Sequence, residues 1–336
     1  MRPKGSTIPG MSCDNARASS WSLSPLSSLI YERQLVDRRP LLSSLSDKAR
    51  IPQHALAAGV PSARTFYSGS SCAAAGLASL PPDYVLKATH TSGCVVVVRG
   101  GVVVAHKTCR GYDQSVVGEE ASPALVRRLC EAWLAFGFQG RGGREWAYSA
   151  VPRGVLAEEV LPAPHSDAQA VAEDIKCWTA GGRTLFMHHT RSRFGHADKR
   201  DTFYDALTLR PRLDIRFGAG PFCGLGHLLG MPAALCLPHA SRADTNASRW
   251  LNASVVSEAA RACDRVAATT GIDFARIDLL LAAPAPSRPR GLVLSEVTLY
   301  PFGGRPHLSP RSVDAALANA WCEAGGPYRS PLALPQ

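Results

Sequence analysis

Phe274-Ala-Arg-Ile-Asp-Leu-Leu-Leu281 and Gly291-Leu-Val-Leu-Ser-Glu-Val-Thr-Leu-Tyr300 are two apolar, strand-like runs separated by the Pro-rich turn Ala282 to Arg290. Their lengths and the turn between them predict a β-hairpin. Each run contains one acid in otherwise buried-type sequence, Asp278 and Glu296. Side chains alternate along a pleated strand, so Glu296 and Thr298 share a face, and pairing across the turn brings Asp278 alongside them. Two carboxylates facing one another in a dry sheet repel unless something positive lies between them. Hard oxygen ligands of this kind suit Mg²⁺, which uses one or two carboxylates and completes its shell with water and nucleotide phosphates. The alternative is that each acid faces solvent on an edge strand.

Working outward, the chain of 336 residues is 46% hydrophobic, enough for a large core or two to three modest lobes. No apolar run reaches the 18 or more residues of a membrane span; Val95-Val-Val-Val98 is broken at once by Arg99-Gly-Gly101. A soluble, cytoplasmic protein is expected. Ten cysteines are scattered without a C-x-x-C pair, several in apolar segments, which argues for reduced thiols and against zinc. The formal charge of +10 is not gathered into blocks. Arg141-Gly-Gly-Arg144 stands as one copy without aromatic interleaving, so nucleic acid is not an expected partner. Six of the 37 basic residues are lysines and the other 31 arginines, so a lysine kept in a well-formed segment, such as Lys87 or Lys176, marks a place wanting a compact point charge.

Residues 1–28 are Ser-rich and read as a disordered lead-in, with organelle import through this segment as an alternative. A small N-terminal lobe over 29–80 follows, helical from Tyr31 to Ala58, with a helix opening at Ser46-Asp47-Lys48 and a short strand at Arg64 to Tyr67. A central subdomain over 81–160 carries strand, loop and strand in Pro81 to Val98, a helix from Ser122 to Phe136 and a strand from Gly154 to Leu161. The C-terminal lobe over 161–325 carries strands Ala172 to Trp178 and Thr184 to Arg191 about a Gly181-Gly182 hairpin turn, the helix Ser254 to Ala268 and the hairpin described above; 326–336 is a tail. The stretch Asp214 to Arg249 is Gly/Pro-rich and irregular. Gly218-Ala-Gly220 and Gly224-Leu-Gly226 within it fail the spacing and context of a dinucleotide fingerprint.

Several groups then point to phosphate chemistry. Lys87 ends an apolar strand and opens a loop with His90, Ser92 and Gly93, offering a cation and backbone N–H groups to phosphates. Glu158-Glu159-Val160-Leu161 ends another strand and can present backbone groups and a carboxylate to an adenine edge or ribose. Asp174-Ile-Lys176 places an acid and a lysine on one strand face, with Arg191 and Arg193 ending the strand after the next turn. Such groups converging would neutralise a triphosphate and its transition state.

The order of these parts resembles the ATP-grasp superfamily, most closely the branch typified by teichuronopeptide-biosynthesis (TupA-like) proteins. The resemblance runs from Asp47 to Pro310 through Asp47-Lys48, Val85-Leu-Lys-Ala-Thr-His-Thr-Ser-Gly93, Leu156-Ala-Glu-Glu-Val-Leu161, Asp174-Ile-Lys-Cys-Trp178, Tyr204-Asp205, Ala275-Arg-Ile-Asp-Leu279 and Ser295-Glu-Val-Thr-Leu-Tyr-Pro301. It implies an α+β ATP-grasp fold in which ATP lies between two antiparallel sheets, one of a central lid and one of a C-terminal lobe. It further implies that Lys87 and Lys176 hold ATP phosphates, His90 to Gly93 form a flap over them, Glu158, Glu159 and Leu161 line the adenine hinge, and Asp278 and Glu296 bind Mg²⁺. Arg191 would stabilise the transferring γ-phosphoryl group, with Lys176 beside it and Asp174 among the nucleotide contacts. Many ATP-grasp ligases carry asparagine where Thr298 stands here.

The implied activity joins a carboxylate to an amine through an acyl phosphate, with peptide, polysaccharide uronate or small amino acid as substrates. No Gly-x-Ser-x-Gly elbow or cysteine nucleophile signature suggests a covalent enzyme intermediate. The rivals are a kinase-like phosphotransferase and a non-catalytic nucleotide-binding protein.

Overall fold

Val95-Val-Val-Val98 and the glycine turn that follows it build the first of two large antiparallel sheets, because β-branched residues fit a pleated surface buried on both faces. The computed structural model describes Cys13 and residues 24–109, 111–112, 115–137, 145–164, 171–191, 200–217, 251–304 and 308–326. In it the first sheet has six strands in the order β1 (Thr65–Gly69), β6 (Val155–Glu158), β2 (Tyr84–Ala88), β3 (Val95–Arg99), β4 (Val102–Thr108) and β5 (Gly111–Tyr112). The helix Pro123–Ala135 is capped at its N-terminus by the Ser122 hydroxyl, which accepts from the Leu125 N–H at 3.3 Å. Its apolar stripe, Leu125, Val126, Leu129, Cys130 and Trp133, joins Leu86, Val96 and Val98 in one core cluster.

The second sheet has five strands in the order β12 (Leu292–Thr298), β11 (Phe274–Leu281), β7 (Glu173–Ala180), β8 (Arg183–Arg191) and β9 (Arg200–Asp205), and a short separate ladder pairs β10 (Arg216–Phe217) with β13 (Leu308–Ser309). β7 and β8 meet at Gly181 and Gly182, whose φ values of 60° and 79° are the pair of left-handed conformations that a two-residue hairpin turn demands. The long helix Ala253–Thr270 starts at Asn252, whose side chain accepts from the Val255 N–H, and lays Ala259, Cys263 and Val266 into the same core as Cys177, Met187, Ile277 and Leu279. The chain is thus the α+β, two-sheet architecture expected from the sequence.

Two bulges decide which side chains face which way. On β12, Glu296 lies opposite Asp278 and Leu294 opposite Leu279, so Ser295 is an extra residue. Leu294 and Val297 both reach the core, while Glu296 turns to the other face beside Asp278. On β8, a regular hairpin would set Met187 opposite Lys176 and leave Arg191 on the Lys176 face. Leu185 is an extra residue there, so His188 takes the place opposite Lys176 and every later side chain on β8 changes face.

Two expectations need correction. The thiols do not stand apart: Cys13–Cys322, Cys72–Cys130, Cys94–Cys109 and Cys177–Cys263 are paired as disulfides, joining positions from 15 to 309 residues apart. Absence of C-x-x-C spacing carried no information about such long-range partners. The lead-in also does not extend to 28, since Ser24 caps the helix Pro25–Val36, and both Ser24 and the Leu26 N–H donate to Asp314 of the helix Arg311–Glu323. Arg141 to Arg144, Arg193, Cys223, Cys236 and residues 218–250 lie outside the described residues. Among the described residues no helix is long and apolar enough to cross a membrane.

Between the helix Pro25–Val36 and the second sheet lies a buried ionic anchor. Arg33, wholly buried, pairs with Asp273, donates to the Phe274 carbonyl at 2.7 Å and stands 4.3 Å from the centroid of the Trp321 ring. Trp321 and Arg39 also donate to Asp273, each at 3.0 Å. The carboxylate is therefore satisfied on every side, which burial requires.

Candidate functional site

Cross-strand partners share a face, so the registers read out a polar row across the second sheet: Glu296, Asp278, Lys176, His188. The neighbouring rows on that face add Thr298 and Arg276 on one side and Asp174 and Thr190 on the other. Asp278 and Glu296 are thus direct partners, as the hairpin predicts. Arg276 lies between the acid strands: its Nε and Nη2 donate to the two oxygens of Asp278, both at 2.7 Å, and Nη2 reaches the Thr298 hydroxyl at 3.1 Å. Burial alone would lower the Arg276 pKa, but Asp278, then Glu296 and Asp174, raise it above its ordinary value. Lys176 stands 3.0 Å from Asp174 and 3.9 Å from Asp278. In the sequence Arg276 stands within the run Ala275-Arg-Ile-Asp-Leu279. Its spacing of two from Asp278 on a strand is the signal that assigns it to the same face.

Lys48, from the short 3-10 turn Lys48–Arg50, is a second cation at the site for which the sequence motifs imply no role. Its Nζ lies 3.3 Å from Glu296 Oε1 and donates to the Thr91 carbonyl, while its backbone N–H donates to the Thr89 carbonyl at 3.3 Å. Tyr148, whose ring centroid is 5.7 Å from Lys48 Nζ, is buried; burial, then Glu296 and Glu145, hold its hydroxyl well above the usual range, so it stays protonated.

The nucleotide candidates of the first sheet fall into two groups. Lys87 and Glu158 come together as a largely buried ion pair between diagonal neighbours on the adjacent strands β2 and β6, Lys87 lying opposite Leu156 and Glu158 opposite Val85. Glu159 extends the strand edge, its N–H donating to the Arg64 carbonyl at 2.9 Å and its carboxylate accepting the Arg64 N–H at 3.0 Å. Leu161 is buried with Ala63, Ala282 and Val293, and its carbonyl accepts from the Ala172 N–H at 2.9 Å. In the loop, Ser92 is exposed, and Gly93 adopts φ 119° where a Cβ would come within 3.2 Å of the Thr108 carbonyl. His90 points inward instead: its Nε2 lies 3.1 Å from the Phe136 carbonyl, and burial lowers its pKa.

Arg191 does not join Lys176. The Leu185 bulge turns it to the opposite face, where it donates to Glu173 at 3.2 Å beside His189, itself 2.7 Å from the same carboxylate. In exchange the bulge brings His188 and Thr190 to the Lys176 face, in a closed cluster with Asp201: 2.8 Å from His188 Nε2 to Asp201, and 2.8 Å from the Thr190 hydroxyl to the same oxygen. Local pattern does not mark this cluster, because Asp201 belongs to a strand that the periodicity does not show.

Asp174, Asp278 and Glu296 face Arg276, Lys176 and Lys48 on this surface, so opposite charges balance before any ion or ligand is added. Among the described residues no group of three or more His, Cys, Asp or Glu side chains is placed to hold a metal unaided. Two adjacent carboxylates and a threonine hydroxyl fit Mg²⁺ that brings phosphate oxygens with it, and are too few for a cage of protein ligands alone.

No family model matches the chain, and no curated protein matches its sequence. Solved structures are similar at a low level. One is the ATP-grasp ligase PsnB complexed with minimal precursor, at 10% identity and TM-score 0.38, covering 86% of this chain and 63% of that one. D-alanine–D-alanine ligase from Bacillus anthracis is similar at 14% identity and TM-score 0.40, covering 84% and 68%. L-amino acid ligase from Bacillus licheniformis is similar at 12% identity and TM-score 0.37, covering 81% and 45%. The chain therefore spans under two thirds of the length of PsnB and under half that of the L-amino acid ligase. PsnB is also solved with Mg and ADP.

Proposed function

We propose that the chain is an ATP-grasp carboxylate–amine ligase of TupA-like type, which activates a carboxylate with ATP and passes the acyl group to an amine. The observation that carries this is the pair Asp278 and Glu296, held opposite one another by a bulge and surrounded by Arg276, Lys176 and Lys48. A sheet face with that many balanced charges is costly to build and contributes little to stability that apolar packing would not supply better. Its chemistry is that of phosphoryl transfer, where alignment and charge neutralisation are the main terms.

In this reading Lys87, Lys176 and the loop from His90 to Gly93 hold the phosphates of ATP, and Glu158, Glu159 and Leu161 flank the base. Asp174 orients Lys176. Asp278 and Glu296 would hold Mg²⁺, which would supply Lewis acidity to the transferring phosphoryl group. The substrate carboxylate oxygen attacks the γ-phosphorus, the bond to the β-bridging oxygen breaks, and ADP leaves. The amine then attacks the acyl phosphate carbon and phosphate departs with the bonding pair, the amine proton passing to solvent or phosphate. Arg276, which donates to both oxygens of Asp278 in this structure, would release one of them to the metal and keep its positive charge over the phosphates. Arg191 serves γ-phosphoryl transfer only if β8 re-pairs by one residue, which would carry it to the Lys176 face.

The test is an ADP-release screen over pairs of carboxylates and amines, with Lys87→Ala and Glu296→Gln run beside the parent. ADP release that needs both substrates, falls at least about 100-fold in each variant and yields an amide supports the ligase. A stable phosphoproduct without amine would favour the kinase-like rival. Turnover in both variants like that of the parent overturns the assignment.

A further inference from the structure

Lys48 bridges two parts of the proposed site, the phosphate loop and the acid Glu296. Its backbone N–H holds the Thr89 carbonyl, its ammonium holds the Thr91 carbonyl, and the same ammonium stands 3.3 Å from Glu296. Thr89 and Thr91 bracket His90 in the loop that runs to Gly93, while Glu296 belongs to the other sheet, 248 positions further along the chain. The ammonium is buried, so its charge is felt at short range and with little screening.

We infer that Lys48 is a positioning residue that couples the phosphate loop to the metal acid: it neutralises Glu296 until a divalent ion arrives and gives up that carboxylate when the ion binds, while keeping its hold on the loop. The inference rests on the nucleotide reading above and adds a regulation to the same site. A carboxylate cannot at once pair closely with an ammonium and give its full charge to Mg²⁺, so lysine and metal compete for Glu296. The loop contacts carry no such conflict, because a carbonyl at Thr91 is no ligand in this scheme. Removing the ammonium therefore has two effects of opposite sign: the metal binds more readily and the loop is held less well.

The experiment uses the full chain, Mg²⁺ and the non-hydrolysable analogue AMP-PNP. Calorimetric titrations at a series of Mg²⁺ concentrations give the metal midpoint for analogue binding, and amide exchange across residues 89–94 without ligand gives the stability of the loop. Lys48→Met is expected to lower the Mg²⁺ midpoint about fivefold or more and to speed loop exchange by a similar factor. Lys48→Gln keeps an N–H donor for the Thr91 carbonyl without the charge, so the midpoint falls and exchange stays near that of the parent. Lys48→Arg keeps the charge and holds the midpoint within about twofold. A midpoint that is unchanged or raised in both neutral variants overturns the competition, as it would for a lysine that served only the fold or only a phosphate. Failure of the parent protein to bind AMP-PNP at any Mg²⁺ concentration overturns the nucleotide reading itself, a result the variants do not share in.

Discussion

Glu296 faces Asp278 because Ser295 is an extra residue on β12; two positions before Glu296, Leu294 points into the core, and one position after it so does Val297. Strict alternation would put Glu296 on the side of Leu294. The bulge therefore spends one ladder position to lift a carboxylate out of the apolar layer and set it beside a second one.

Inserting an alanine between Glu296 and Val297 lets β12 alternate regularly from Leu294 to Val297 and puts Glu296 on the core side, whereas deleting Ser295 leaves Leu294 and Val297 in the core and Glu296 opposite Asp278. Burying an unpaired carboxylate costs several kcal/mol. The insertion is expected to lower the melting temperature by about 5 °C or more, whereas Ser295→Ala, which keeps the residue count, changes stability by about 1 kcal/mol at most. Equal melting of the insertion variant and the parent would contradict the facing assigned to Glu296.

Arg276→Met removes both hydrogen bonds to Asp278 and leaves that carboxylate buried near Asp174. Urea unfolding is expected to show a loss of about 3–5 kcal/mol. Adding Asp278→Asn removes the stranded charge and is expected to restore a large part of it. A double variant no more stable than Arg276→Met would show that the two residues act independently.

Arg33 and Arg39 hold the Asp273 carboxyl below its ordinary value, outweighing the burial that by itself would raise it. A depressed carboxyl contributes stability above the unfolded-state pKa of about 4 and loses it as pH falls toward the folded-state value. The unfolding free energy of the parent is expected to fall more steeply between pH 5 and 3 than that of Asp273→Asn, which is weaker at pH 7. Parallel pH profiles for the two would remove the pair from the acid response.

The sequence was a good guide wherever a property depended on neighbours along the chain. The hairpin partners Asp278 and Glu296, the Gly181-Gly182 turn and the helix capped by Ser122 all follow from local pattern. It failed where one residue of register or a distant partner decided the outcome. The side occupied by Arg191 depends on Leu185, whose bulge leaves no mark in an alternating apolar run. Lys48 meets Glu296, and Cys13 meets Cys322, only after the lobes have packed. Arg276 is within reach of the strand rule, because a spacing of two on a strand sets it on the face of Asp278, which it binds.

The most direct test of the central claim is the melting temperature of the parent and of Glu296→Gln with ATP alone, Mg²⁺ alone and both together. Asp278 and Glu296 already face protein cations, so neither ligand alone should move the parent by more than about 1 °C, while both together at 100 times the dissociation constant stabilise it by about 2.7 kcal/mol, several degrees for a chain of this size. In Glu296→Gln the Mg²⁺-dependent part is lost. Equal stabilisation of the variant and the parent by Mg²⁺ and ATP, or none in either, would contradict the claim that these two acids form a metal–nucleotide site.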